Sequence, residues 1–336
     1  MSRRRLLATI LAATALFSAR PLLALAAQDA GNTPVANAAT GVWSFTDDAG
    51  LTVTLPERPV RIVADLNAAA PLWDFGVRPV AVAGWTTGTD AAWGNVDRET
   101  PVITASLETS EPSAEELLAR DADLFVTIFW GNPEHPYEWS FPDPAAYQRI
   151  SEIVPVIAIS GTGSADANME RFAELASLLG ADIETPELLA AKATYEETVE
   201  AFKTLVAAKP DLTTLFVYAD GEFEYVANPE AWADLSMYQA FGLNIVEPNV
   251  EPGEYWQDLS PEQARTYESD VLFQSTRTGI FSLEELAAHP TYGQLPAVKA
   301  GQMGPWNQDF IQSYQGLTAA LETMMATLTD ANDVTP

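Results

Sequence analysis

The chain contains no cysteine. That excludes disulfides, thiolate nucleophiles and a lipid-modified N-terminal Cys. Histidine is scarce as well, with only His135 and His289. A protein-built transition-metal site usually draws three or four ligands from Cys, His and carboxylates, so zinc-type chemistry is not expected. Basic side chains number 17 against 47 acidic ones, a formal net charge of −30. Such a field repels polyanions and argues against nucleic acid or an anionic membrane surface as a partner. No Gly-x-Ser-x-Gly elbow and no Walker loop occurs. "ISGTGSAD" (159–166) lacks the third glycine of a dinucleotide fingerprint and follows rather than opens a βαβ unit. His135 in "NPEHPYEW" and His289 in "AAHPTY" both sit beside prolines in loop-like sequence, with no third partner for a triad. Neither catalysis nor a resident cofactor is therefore expected.

Long apolar runs are also lacking, apart from the N-terminus. "MSRRRLLATILAATALFSARPLLALAAQD" has an arginine-rich start, an apolar stretch broken by Arg20 and Pro21, and small residues around Ala26 and Ala27. Residues 1–27 therefore read as a twin-arginine-like export signal, because the interrupted run is too short to span a bilayer. The expected location is periplasmic or otherwise extracytoplasmic.

What is present is a globular composition. Of 336 residues, 47% are apolar and 19% charged, enough to build a substantial core. Residues 28–57 read as a flexible leader followed by a hairpin, "VWSFTDDAGLTVTLP", with alternating apolar positions around an Asp-Asp-Ala-Gly turn. From 58 to 163, short β-branched runs ("VRIVADL", "PVAVAGW", "PVITA", "DLFVTIFW", "PVIAIS") alternate with helical segments, the pattern of βαβ units on a mostly parallel sheet. Residues 164–210 are helical. "ADANMERFAELASLLG" aligns Met169, Phe172, Leu175 and Leu179 on one face. "TPELLAAKATYEETVEAFKTLVAAKP" opens on a Thr185 cap with Pro186 in the first turn and spans roughly 35 Å. Residues 211–330 return to strand-like runs, "TLFVYADG", "LNIVEP", "VLFQST" and "QMGPW". The expected fold class is α/β.

One short design occurs twice. In "PSAEELLARDADLFVT", Glu115 precedes Asp123 by eight residues; in "SPEQARTYESDVLFQ", Glu262 precedes Asp270 by eight. Each begins with a capping box, Ser113–Glu116 and Ser260–Gln263, which leaves Glu115 and Glu262 at the second helical position free to point outward. A box at "SLEEL" (282–286) carries an acid in the same place, so capping alone is not the point. The first two differ in that each feeds an Asp-led strand.

These segments, together with "DDAGLTVTLPERPVRIVAD", "LWDFGVRPVAVAGW" and "AHPTYGQLPAVKAGQM" in order, resemble the solute-binding proteins of bacterial ABC importers for ferric siderophores, haem and cobalamin. The first copy departs slightly, with Ala122 where the family has proline and Arg120 where an apolar residue is usual. The resemblance implies a class III periplasmic binding protein: two Rossmann-like lobes with central mostly parallel sheets, joined by a long rigid helix, with ligand held between. It implies no enzymatic activity, a small-molecule metal chelate as cargo, a membrane permease and its ATPase as partners, and a monomer. It also implies that Glu115 and Glu262 meet arginines on the permease, a charge-assisted contact that reads the orientation of both lobes at once.

Ligands of α/β lobes sit beyond the carboxyl ends of the strands. Those ends carry Asn67, Trp85 and Trp130 in the first half and Tyr218, Arg277 and Trp306 in the second, with Tyr255 and Trp256 in the loop before the second Glu segment. Arg277 stands out because an arginine ending an apolar strand is poorly explained by packing, its bland alternative being an ion pair with a neighbouring acid. Trp43 and Trp73 read as packing. An aromatic cleft with one good cation suits a neutral or cationic hydroxamate-type iron complex better than a polyanionic catecholate. Haem or cobalamin on the same fold, and a sensor or an enzyme built on it, are the alternatives.

Overall fold

A computed structural model describes residues 41–103, 111–131, 140–222 and 224–335. The export-signal segment and His135 lie outside the described residues. The hairpin forms as expected from β1 (Trp43–Thr46) and β2 (Thr52–Leu55). Its turn does more than reverse the chain. Asp47 accepts the Leu51 amide at 2.8 Å and the Ala158 amide at 3.1 Å, and Asp48 accepts the Ser160 amide at 2.7 Å. The two turn acids thus attach the hairpin to the first main sheet.

That sheet is parallel, in the order β4 (Ala81–Ala83), β3 (Ile62–Asp65), β5 (Leu124–Phe129), β6 (Val156–Ser160). Its strands are nearly continuous apolar runs because both faces are covered, by α1 (Leu66–Asp74), α2 (Ala114–Ala119) and α3 (Pro144–Ser151) among others. "PVITA" does not become a full strand. Val102 makes only an isolated bridge to Val82, and Ala105 lies outside the described residues.

Next come α4 (Ala165–Leu178) and α5 (Pro186–Ala207). Met169, Phe172 and Leu175 of α4 are buried on one face, as their spacing predicts. Helix α5 buries Leu188, Tyr195, Val199, Phe202 and Val206.

The second sheet runs β10 (Trp256–Leu259), β8 (Glu224–Ala227), β7 (Thr213–Ala219), β11 (Val271–Ser275), β12 (Met303–Trp306), with β9 (Asn244–Ile245) beside the start of β7. Strands β7, β11 and β12 are parallel, and β8 lies antiparallel between β7 and β10. Helices α6 (Ala233–Ala240), α7 (Leu283–Ala288), α8 (Pro296–Lys299) and α9 (Tyr314–Leu328) cover it.

One apolar core runs from Leu66 and Phe75 below the first sheet, through Phe172 and Phe202, to Phe216, Trp306 and Leu321 in the second. Two helices brace this junction. The Lys209 ammonium just beyond α5 donates to the Leu328, Thr329 and Ala331 carbonyls at 2.6–2.7 Å, capping the end of α9. At the start of α9, Ser313 donates to Asp74 of the first lobe, and the Tyr314 ring meets Phe75 edge-on at 5.4 Å. Continuous packing of this kind opposes wide opening of the two lobes.

Candidate ligand cleft and docking carboxylates

The repeated segment has a structural reason. Asp123 stands just ahead of β5 and accepts the Val60 and Arg61 amides, both at 2.9 Å. Asp270 stands just ahead of β11 and accepts the Thr213 amide at 2.8 Å and its hydroxyl at 2.7 Å. Each acid therefore fastens the start of its strand to the start of the central neighbour, β3 or β7. Asp270 also accepts the Val334 and Thr335 amides at 2.8 Å. Burial alone would raise the Asp270 carboxyl, but these donors outweigh it and hold the group well below the usual carboxylate range.

The partner acids face solvent. Glu115 and Glu262 are both exposed at the second position of their segments. The Ser113 hydroxyl accepts the Glu116 amide at 3.3 Å, while the Glu116 carboxylate pairs with Arg120 at 3.3 Å. Around Glu262 the full capping box forms, but the segment Pro261–Thr266 is a 3-10 helix rather than an α-helix. The backbone N–H of Glu262 and the Ser260 hydroxyl hold the Glu262 carboxyl below its ordinary value, so it stays ionised.

Strand register builds the aromatic wall. Tyr218 of β7 lies opposite Tyr225 of β8, and Tyr225 lies opposite Asp258 of β10, so all three share one sheet face. Trp256 lies opposite the small Ala227, which leaves its indole room to lean across the sheet. Its ring reaches Tyr218 and Tyr225 at 6.2 Å, Trp232 at 5.0 Å and Trp306 at 5.9 Å, all edge-on. Such pairs contribute about 0.5–1.5 kcal/mol each beyond burial, enough to fix the wall before any ligand arrives. Acids rim it. Burial, then Asp220, Asp258 and Glu222, push the Tyr225 phenol above its ordinary value.

Arg277 and Asp309 form the polar corner. Arg277 Nε donates to Asp309 Oδ2 at 3.2 Å and Nη2 donates to Oδ1 at 2.8 Å, with the guanidinium 5.9 Å from the Trp232 ring centroid. The ion-pair alternative for Arg277 is therefore what the structure shows, and the pair still borders the aromatic wall. Beneath it Asp234 accepts the Trp306 indole N–H at 2.7 Å, and burial pushes the Asp234 carboxyl up to about 7.

The remaining expected residues divide. Tyr255 belongs to the second lobe, yet its hydroxyl donates to the Trp130 carbonyl of the first at 3.2 Å. The lobes thus touch across the cleft. The Trp130 ring packs close to position 161, which is glycine; a Cβ there would stand 2.9 Å from the ring. Asn67 is half-buried in the first turn of α1, where its amide bonds Asp65 at 3.0 Å. Burial raises the Asp65 carboxyl to about 7, partly offset by that bond. Trp85 opens a 3-10 turn at Trp85–Gly88. Two placements need correcting. Trp306 is 1% exposed and underlies the wall rather than lining it. Trp256 opens β10 rather than sitting in a loop. Of the two expected packing tryptophans, Trp43 is buried and donates to the Leu178 carbonyl at 3.0 Å, and Trp73 lies under Arg78. Sequence reasoning missed Tyr225, Trp232 and Asp309. Tyr225 sits on a four-residue strand, "EYVA", defined by its pairing with β7, and Trp232 and Asp309 sit in turns whose position depends on the folded sheet, so no local signal marked them.

The profile of the periplasmic binding protein family matches residues 135–309. The chain belongs to that family. Among solved structures, this periplasmic binding protein is similar to DesE, a ferric-siderophore receptor from Streptomyces coelicolor, with 29% identity and a TM-score of 0.78 over 87% of this chain and 100% of the other. The siderophore periplasmic binding protein from the fuscachelin cluster of Thermobifida fusca shares the fold at 21% identity and a TM-score of 0.59, over 81% of this chain and 97% of the other. So does the periplasmic catecholate-siderophore binding protein VctP of Vibrio cholerae, at 17% identity and 0.59, over 86% and 99%. No curated protein matches at a significant level. The two-lobed class III architecture expected of the chain is thus its fold, and the family is one of binding proteins rather than enzymes. No helix among the described residues is long and apolar enough to cross a membrane.

Proposed function

We propose that this protein is the exported solute-binding component of an ABC-type importer and carries a ferric siderophore, of hydroxamate type, in the cleft between its lobes. It acts as a monomer, does no chemistry on its cargo, and presents Glu115 and Glu262 to arginines on a membrane permease coupled to its ATPase. The observation that carries this reading is the preassembled wall of Tyr218, Tyr225, Trp256 and Trp232 at the strand ends, beside a cation already paired with an acid. Flat rings accept the apolar flank of a chelate, and the paired Arg277 with its acidic rim gives no cluster of free cations for a polyanion. Iron enters already chelated, so the rings and Arg277 meet the chelator rather than the bare metal. The similarity to a ferric-siderophore receptor points the same way.

The test is quenching of tryptophan fluorescence by ferric hydroxamates, ferric catecholates, haem and cobalamin. A ferric hydroxamate is expected to quench with a Kd of about 1 μM or below, worth roughly 8 kcal/mol or more of binding free energy. Silence across the panel overturns the reading, and a response confined to haem or cobalamin replaces the cargo while keeping the role.

A further inference from the structure

We propose that Asp309 sets the charge class of chelate the cleft accepts, by occupying the edge of the Arg277 guanidinium that a negatively charged ligand would otherwise take. This rests on the chelate-binding reading above and assigns a selectivity role to a residue outside the aromatic wall. Strands β11 and β12 are paired with Ser275 opposite Trp306, so the turns that leave them are neighbours. Arg277 lies two residues past the first strand and Asp309 three past the second. The pair is side-on, through Nε and Nη2, which is the edge that holds a carboxylate or a chelate oxyanion with two parallel bonds.

The two partners sit at different depths. The Arg277 side chain is 26% exposed and that of Asp309 is 4% exposed. Asp309 is held from its own backbone, whose N–H donates to Asn307 Oδ1 at 3.0 Å, and Arg277 N donates to Ser275 Oγ at 3.2 Å. An anionic ligand that drew the guanidinium outward would strand a buried carboxylate, which is far more costly than losing a surface ion pair. Asp234 adds to this. It lies close enough to feel Arg277, its Oδ1 is buried without a partner, and it provides no positive charge to compensate Asp309. A neutral or cationic chelate resting on the rings asks nothing of Arg277 and avoids the cost.

Asp309 is in this sense a positioning residue that acts through Arg277. The experiment measures tryptophan quenching by two hexadentate probes, a ferric trihydroxamate without net charge and a ferric tris-catecholate trianion. The readout is the ratio of their Kd values. Asp309→Asn keeps the shape and removes the negative charge, and the ratio is expected to move roughly tenfold toward the trianion at low salt and less at high salt. Asp309→Glu, which restores a carboxylate, is expected to keep the wild-type ratio. The double variant Arg277→Gln/Asp309→Asn is expected to return the ratio toward wild type, which simple loosening of the turn would not do. If Asp309→Asn fails to fold, Asp309→Ser carries the same prediction. An unchanged ratio in a folded Asp309 variant overturns the proposal, as does a shift that persists in the double variant. Wild-type protein bound by neither probe overturns the chelate-binding reading as well, so the two failures are distinguishable.

Discussion

Asp123 and Asp270 hold the same post in the two lobes, one residue ahead of the strand that follows each exposed glutamate, but at different depths. Asp123 is half-buried and receives two backbone amides, from Val60 and Arg61. Asp270 is fully buried and receives Thr213 twice, plus the Val334 and Thr335 amides of the C-terminal tail. The first lobe uses the acid to start a sheet. The second uses it to start a sheet and secure the segment that follows α9. A sequence repeat therefore marks equivalent geometry without marking equivalent energy.

The exposed partners offer the sharpest way to break the comparison. In the proposed role both carboxylates meet permease arginines, so Glu115→Arg and Glu262→Arg should each lower uptake of the cargo in cells. The double reversal should lower it more than about tenfold, since like charges at an interface cost several kcal/mol. Unequal single effects would show that one lobe dominates docking. Chelate quenching measured alongside should not weaken in parallel, and if it does, the acids belong to the cargo site instead.

The next largest effect concerns the buried acids themselves. Asp270→Asn should lower unfolding stability by about 3 kcal/mol and Asp123→Asn by about 1 kcal/mol, because bonds to a charged acceptor are the stronger kind and burial amplifies their loss. Urea midpoints at neutral pH check this. The sign of the pH dependence follows from the depressed Asp270 carboxyl. Above the unfolded-state pKa of about 4 its contribution is fully present. As pH falls below that value the unfolded chain binds the proton first, so stability is lost on the way down to the lower folded pKa. The gap between wild type and Asp270→Asn should accordingly narrow between about pH 4 and pH 2. A constant gap would mean that shape rather than charge fastens β11 to β7.

How much of this could be read in the sequence also differs between the lobes. Helices α4 and α5 were legible because their caps and apolar spacing are local, and the parallel strands because their runs are continuously apolar. Strands β8 and β10 were not. "EYVA" and "WQDL" are four residues each, and what makes them strands is pairing, β8 against β7 and β10 against β8, visible only once the sheet exists. The aromatic wall inherits the same difficulty. Tyr218 and Trp256 could be named from their neighbourhood, but Tyr225 needed the cross-strand partner, and Trp306 read as a cleft residue because the sequence does not show that Trp232 and Trp256 cover it. Arg277 was conspicuous for the same reason that its partner was not. The 32 residues to Asp309 are bridged by the pairing of β11 with β12, which no local stretch of sequence displays.

The smallest expected effect tests where the lobes meet. The hydrogen bond from Tyr255 to the Trp130 carbonyl is one neutral contact, which typically contributes about 0.5–1.5 kcal/mol. Tyr255→Phe keeps the ring against Trp232, 5.6 Å away, and removes only the hydroxyl. If the contact helps hold the lobes together over a bound chelate, the variant should release its cargo about threefold faster in a stopped-flow competition experiment, a change of under 1 kcal/mol. Association should change less, because the core shared through α5 and α9 already sets the spacing of the lobes. A larger change in association than in release would instead make the contact of Tyr255 with Trp130 a barrier to entry, and the second lobe would then supply both the wall and the bolt that closes it against the first.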